Sequence, residues 1–203
     1  MNPYAYAGWS NPQNPHSINN HGPWRPNDPN PPTFGALPPP QAPAESFQLF
    51  EFGQSQHGIL NCDVTGPRDL KYFKIRTTGS STTISKSTGT FAIINWASQP
   101  TVEFMVGGVP AKQRASSFIG LSPDTMYRVM QVDGRTFVWL KRNSGDYCMY
   151  AYDTNPLENL ARICHSDGGD TIVLKLQSEA FRAGLIGHCV LAAVLLLSGR
   201  RID

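Results

Sequence analysis

The 203-residue chain is poor in cysteine and nearly balanced in charge, and neither property supports a dedicated metal or nucleic-acid role. Its four cysteines, Cys62, Cys148, Cys164 and Cys189, stand far apart and form no Cys-x-x-Cys pair, so their spacing offers no zinc framework. They read as buried thiols. A formal net charge of +2 is too small for an electrostatic footprint on nucleic acid, and any basic patch has to be local. The opening Met-Asn-Pro-Tyr-Ala-Tyr has neither a basic stretch nor an apolar stretch of the secretory kind, which predicts an intracellular, reducing, cytoplasmic setting. Position 2 is not glycine and Arg200-Arg201-Ile202-Asp203 carries no cysteine, so no lipid-anchor pattern is expected. No arrangement of residues reads as catalytic, and no cofactor is expected.

Proline is unevenly placed. Of the 17 prolines, all but Pro67, Pro100, Pro110, Pro123 and Pro156 lie at or before Pro43, among Asn, Gly and Gln. Such a stretch has too few aliphatic side chains to offset the entropy of ordering it, and residues 1–45 are expected to be coil with polyproline II character. Tyr4, Tyr6, Trp9, Trp24 and Phe34 are spaced along it as possible contacts for partners. Pro40-Gln41-Ala42-Pro43 has the P-x-x-P form, but no basic residue flanks it, which favours a linker over a docking ligand.

From residue 46 the composition changes. Short runs of Val, Ile, Phe, Tyr and Thr alternate with Gly, Asp, Asn and Ser clusters, the pattern of strands and turns. About twelve strands are predicted: Phe47–Phe52, Gly58–Val64, Leu70–Thr77, Thr82–Lys86, Thr90–Trp96, Thr101–Val106, Ala111–Phe118, Met126–Val132, Arg135–Lys141, Tyr147–Tyr152, Ala161–His165 and Thr171–Leu176. Asp133-Gly134 between two apolar runs predicts a two-residue hairpin turn, since both of its central positions need positive φ. Gly107-Gly108 and Gly168-Gly169 mark further turns.

After the last strand the period lengthens. Ser178–Ser198 carries Phe181, Leu185, Ile186, Val190, Leu191, Val194 and Leu195 in a segment apolar almost all round, a helix that must be enclosed by protein or by lipid. The uninterrupted apolar run is short for a bilayer span, and strands precede it, so a core helix inside an antiparallel barrel is favoured over a membrane anchor. The fold expected for residues 46–203 is therefore mainly β: an antiparallel barrel of about twelve strands around a hydrophobic C-terminal helix.

That combination resembles the tubby C-terminal-like fold shared by tubby proteins, phospholipid scramblases and LURP-one-related proteins, over about Phe47 to Arg201. The run Asp133-Gly134-Arg135-Thr136-Phe137-Val138-Trp139, with Ala161-Arg162 and the Leu-rich end before Arg200-Arg201, looks like an uncharacterised fungal domain family of that class. The chain departs from scramblases in lacking their cysteine-rich palmitoylation run and any acidic loop suited to calcium. The resemblance implies a fold more than an activity, since the family it most resembles has none to carry across.

Few residues suggest chemistry. Cys164 and His165 are adjacent on a strand and point to opposite faces, which makes a packing thiol beside an exposed imidazole the expected arrangement. Asp167, Asp170 and Glu158 are scattered around turns and too sparse for a metal site. His188 interrupts the apolar helix and is expected to be a hydrogen-bonded core histidine. The one functional indication is basic: Tyr72, Lys74 and Arg76 alternate onto one face of a strand opposite Lys71, Phe73 and Ile75, with Lys86 one strand later, a set able to meet lipid phosphates through charge-assisted hydrogen bonds. The expected function is thus a non-enzymatic, monomeric binding module for anionic phospholipid or a protein partner, peripheral at membranes. Two alternatives are a scramblase-like protein with an inserted helix and a scaffold recruiting partners through its Pro-rich tail.

Overall fold

The computed structural model describes residues 47–53, 58–106, 109–152, 158–166 and 171–203. The expected tail, its P-x-x-P segment, the two Gly-Gly turns, Asp167 and Asp170 lie outside the described residues.

Thirteen strands form one antiparallel sheet. They are β1 (Phe47–Phe52), β2 (Asp63–Thr65), β3 (Lys71–Thr78), β4 (Ser81–Lys86), β5 (Gly89–Asn95), β6 (Thr101–Val106) and β7 (Val109–Arg114), followed by β8 (Ile119–Leu121), β9 (Tyr127–Val132), β10 (Arg135–Lys141), β11 (Tyr147–Ala151), β12 (Asn159–His165) and β13 (Ile172–Gln177). Helices are few: α1 (Ala115–Phe118) between β7 and β8, then α2 (Ser178–Arg182) and α3 (Ile186–Leu197) after the last strand. The spatial order is β7-β6-β5-β4-β3-β2-β1-β13-β12-β11-β10-β9-β8. Two meanders, β1 to β7 and β8 to β13, are thus stitched together by the long-range pairing of β1 with β13, in register from Phe47↔Gln177 to Phe52↔Ile172.

The edge strands β7 and β8 are consecutive in the chain and joined by α1 alone. Laid flat, thirteen strands would separate them by roughly 58 Å, whereas the linking residues reach no more than about 18 Å. The sheet must therefore curl. Its edges are nevertheless not hydrogen-bonded to one another, which corrects the expected closed barrel: the linking residues coil into α1 where a tight turn would have set the two strands in register. Ala115 opens that helix by donating its N–H to the Pro100 carbonyl at 2.8 Å, and Phe118 is buried against Phe104 of β6.

Three more expectations need correction. Gly58–Val64 is a 3-10 turn over Gly58–Leu60 followed by the short β2, and Ala111–Phe118 is the end of β7 plus α1. β8 was not anticipated. The segment Ser178–Ser198 is two helices, because Gly184 at φ +75° stops the first. Leu185 donates its N–H to the Ala180 carbonyl and Gly184 to that of Phe181, the paired bonds of a helix terminated by a left-handed glycine.

Alternation sorts the strands into an inner and an outer face. Thr82 and Ile84, Ala92 and Ile94, Val102 and Phe104, Phe137 and Trp139, and Leu174 and Leu176 are all buried, with more accessible neighbours between them. In α3 every residue from Cys189 to Val194 is at 0% exposure, which no one-sided contact could achieve. The residues touching it come from both meanders: His188 meets rings of β5, β6 and α1, while Cys189 Sγ lies 3.9 Å from Met149 Sδ of β11. No helix among the described residues is long and apolar enough to cross a membrane.

Candidate functional site

The basic residues expected to share one strand face are distributed between two. Lys74 and Arg76 do point outward from β3, with Phe73 and Ile75 buried beneath them. Tyr72 does not join them. The pairing of β2 with β3 runs Asp63↔Lys74, Val64↔Phe73 and then Thr65↔Lys71, which leaves Tyr72 as the extra residue of a β-bulge. A bulge interrupts the alternation, and the Tyr72 ring turns toward the interior, edge-on to Phe50 at 5.1 Å and to Phe181 at 6.3 Å. The same irregularity brings Lys71, expected on the opposite face, to the outer carboxylate of Asp63 at 3.1 Å.

Lys86 lies on the inner face by plain alternation, in step with the buried Thr82 and Ile84 of β4. A second bulge makes Phe91 the extra residue of β5 opposite Ile84 and Ser85. Lys86, exposed at the end of β4, holds its ammonium 4.7 Å from the Phe91 ring centroid and 5.4 Å from that of Phe73, on the side of the inner aromatic rings.

On the outer face, Asp63 is shared by two cations. Arg76 Nη2 donates to its Oδ1 at 2.7 Å, while Nη1 donates to the carbonyls of Cys62 at 3.0 Å and Ile75 at 2.7 Å. Partial burial pushes the Asp63 carboxyl up, but the hydrogen bonds from Arg76 and Lys71 outweigh it and hold the group below the usual carboxylate range. Arg76 is therefore a structural brace between β2 and β3. Lys74 has no carboxylate partner among the described residues, and Lys71 has only the shared Asp63. Leu70, 55% exposed, immediately precedes the strand beside them.

His188 occupies an aromatic setting. Its ring lies 5.5 Å from Phe91, 5.7 Å from Phe104 and 6.3 Å from Phe118. The expected hydrogen bond is missing at one nitrogen: Nδ1 is buried with no partner among the described residues. Burial lowers the imidazole below its ordinary value of 6.5; Asp133 opposes this and Lys86 adds to it. The folded chain thus takes up this proton less readily than the unfolded chain. Stability due to the neutral ring is complete above the unfolded value and is lost as pH falls through the folded one. His188→Leu is expected to remove that loss and to match or exceed wild type at neutral pH, since no hydrogen bond at Nδ1 is sacrificed. Urea midpoints at pH 7.5 and 5.5 test this, and an equal acid-induced drop in both proteins would place the titration elsewhere.

The four thiols are free and buried, as the spacing suggested. Burial pushes Cys62 up to about 11 and raises Cys164 and Cys189 as well, so these three are inert packing groups at neutral pH. Cys164 is buried and His165 exposed, consistent with opposite faces. No group of three metal-ligating side chains occurs among the described residues.

No family model matches the chain, and no curated protein matches it in sequence. A solved crystal structure of an Arabidopsis thaliana protein aligns over 71% of this chain and 88% of that one, at 13% identity and a TM-score of 0.35. At that level the likeness assigns no family. The architecture described above rests on the chain's own strand pairings.

Proposed function

We propose that this chain is a non-enzymatic binding module that attaches peripherally to anionic phospholipid surfaces through the outer face of β3. The observation that supports this is the cluster of Lys71, Lys74 and Arg76 around the single carboxylate of Asp63, with the exposed Leu70 at its border. Cations able to meet phosphate next to an aliphatic side chain able to enter the headgroup region suit a membrane surface. Tyr72 and Lys86, turned toward the inner aromatic rings, have no part in it. In this reading the curled sheet and α3 form a barrel-like body around a central helix, and the Pro-rich tail adds reach toward partners. An inserted-helix mode would strip α3 of its contacts with both meanders.

The test is co-sedimentation with vesicles of phosphatidylcholine alone or mixed with phosphatidylserine, at low and physiological salt. Binding only to the anionic vesicles, weakened by salt, is expected. Each basic side chain at such a surface contributes about 1 kcal/mol, so Lys71→Ala with Lys74→Ala should lower affinity about ten- to thirty-fold. Arg76 is left intact because removing it together with Lys71 would leave Asp63 with neither of its cations. Equal binding by wild type and the double variant would transfer the reading to a protein partner.

A further inference from the structure

The outer face carries a second basic site, built by β10, β11, β12 and the turn between the first two. Pairing sets Leu140 opposite Cys148 and Cys148 opposite Arg162, so these three form a continuous outward stripe. Above it the chain turns back on itself: Arg142 donates its N–H to the Asp146 carbonyl at 2.7 Å, Gly145 donates to that of Arg142 at 2.9 Å, and Gly145 takes φ +87°. The result is a cleft of about 610 Å³, in the size range of small-ligand sites. Lys141, Arg142, Ser144, Asn159 and Arg162 are among its lining residues, with Cys148 at its floor.

Two cations, Arg142 and Arg162, face this cleft with one carboxylate nearby, while Lys141, in step with the buried Phe137 and Trp139 of β10, turns its ammonium toward Tyr147 on the other face. That carboxylate, Asp146, is 8% exposed and accepts from both Nε and Nη2 of Arg162, which fixes the guanidinium in place. Arg142 has no carboxylate partner among the described residues and reaches the Tyr150 hydroxyl at 3.4 Å. Uncompensated charge in a concavity concentrates anions. Asn159 adds a separate observation. Its Oδ1 is buried with no hydrogen-bond partner among the described residues, although buried polar atoms are rarely left so. A side-chain amide beside two cations can complete its bonding through a ligand hydroxyl.

We propose that this cleft binds a phosphate monoester on a hydroxyl-bearing skeleton, with Arg142 and Arg162 meeting the phosphate and Asn159 a neighbouring hydroxyl. The site is separate from the β3 face, and its chemistry fits either a soluble ester or a lipid headgroup. Calorimetric titration of the full chain with glycerol 3-phosphate and with inorganic phosphate, alongside sedimentation with phosphatidic acid vesicles, distinguishes the sources. Glycerol 3-phosphate is expected to bind about tenfold more tightly than inorganic phosphate, and Asn159→Ala to erase that difference. Arg142→Gln, an exposed position, is expected to weaken every phosphate probe by about tenfold or more without changing the melting temperature, whereas Lys71→Ala with Lys74→Ala should leave glycerol 3-phosphate binding unchanged. Binding to phosphatidic acid vesicles alone, measured in the Lys71→Ala, Lys74→Ala background that removes the β3 face and lost on adding Arg142→Gln, would support the site with a lipid as its source. Absence of binding to both the soluble ester and the vesicles, or binding that Arg142→Gln does not reduce, would overturn the assignment, as would an Asn159→Ala variant that still prefers glycerol 3-phosphate.

Discussion

Val190→Asp is expected to leave no cooperatively folded protein. Val190 is at 0% exposure in the middle of α3, within the fully buried run Cys189–Val194. An aspartate there must either hold a charge in a dry interior or stay protonated. Keeping a carboxyl neutral at pH 7, from an unperturbed pKa near 3.9, costs about 4 kcal/mol, and the lost burial of valine adds about 2. The sum, about 6 kcal/mol, exceeds the lower end of the roughly 5–15 kcal/mol by which domains are stable. Circular dichroism and urea titration of Val190→Asp, with Leu191→Met as a volume-conserving control, measure the effect. A control near wild type beside an unfolded aspartate variant is expected; a Val190→Asp protein that melts within a few degrees of wild type would show that α3 is not part of the core.

How much of this was readable beforehand depended on what each feature answers to. Strands β1, β6 and β10 begin and end where the apolar runs and turn residues put them, because alternation and flanking turns are local properties. Asp133 and Gly134 take φ +49° and +75° as a two-residue hairpin turn requires, again from local chemistry. The all-apolar helix was legible for the same reason, whereas the Gly184 stop within it was passed over even though a glycine before a fresh apolar run is a known terminator. The bulges at Tyr72 and Phe91 are properties of pairing, fixed by β2 and β4 respectively, and no periodicity within β3 or β5 announces them. That is why a face read by simple alternation lost Tyr72, whereas Lys86 sits over the inner rings by the alternation of β4 itself, in step with Thr82 and Ile84.

The cleft was illegible for a stronger version of the same reason. Arg162 is far from Arg142 in sequence, and the two come together only because Cys148 pairs with Arg162 while the turn after β10 folds above them. Pairing also explains the buried carboxylate: Asp146 is one residue before β11 and reaches Arg162 across the strand boundary. By contrast His188 was singled out by sequence alone, since an imidazole inside an apolar run is unusual wherever the run is placed. What the sequence could not supply was its partner, and the structure leaves Nδ1 without one among the described residues.

Gly120→Ala is expected to cost about 1–3 kcal/mol, although an alanine is ordinarily welcome in a strand position more than a glycine. A Cβ at Gly120 would stand 2.7 Å from the Ser116 carbonyl oxygen, a backbone atom of α1. Relief requires β8 or α1 to move, and both are held. Ala115 is bonded to the Pro100 carbonyl, Phe118 and Ile119 are buried, and Arg128 Nη1 donates to the Ile119 carbonyl at 3.0 Å. For a domain of this size the penalty corresponds to a melting temperature lower by about 2–10 °C. Gly79→Ala separates this effect from a purely conformational one, because Gly79 has open space around its missing Cβ but φ +58°, so its cost comes from the left-handed backbone alone. A larger side chain discriminates further: Gly120→Val should be worse than Gly120→Ala, while at Gly79 any added loss reflects backbone strain and not a clash. If Gly120→Ala melts with wild type, α1 is free to shift. The close approach at the junction of the two sheet edges would then not be what sets how the sheet curls.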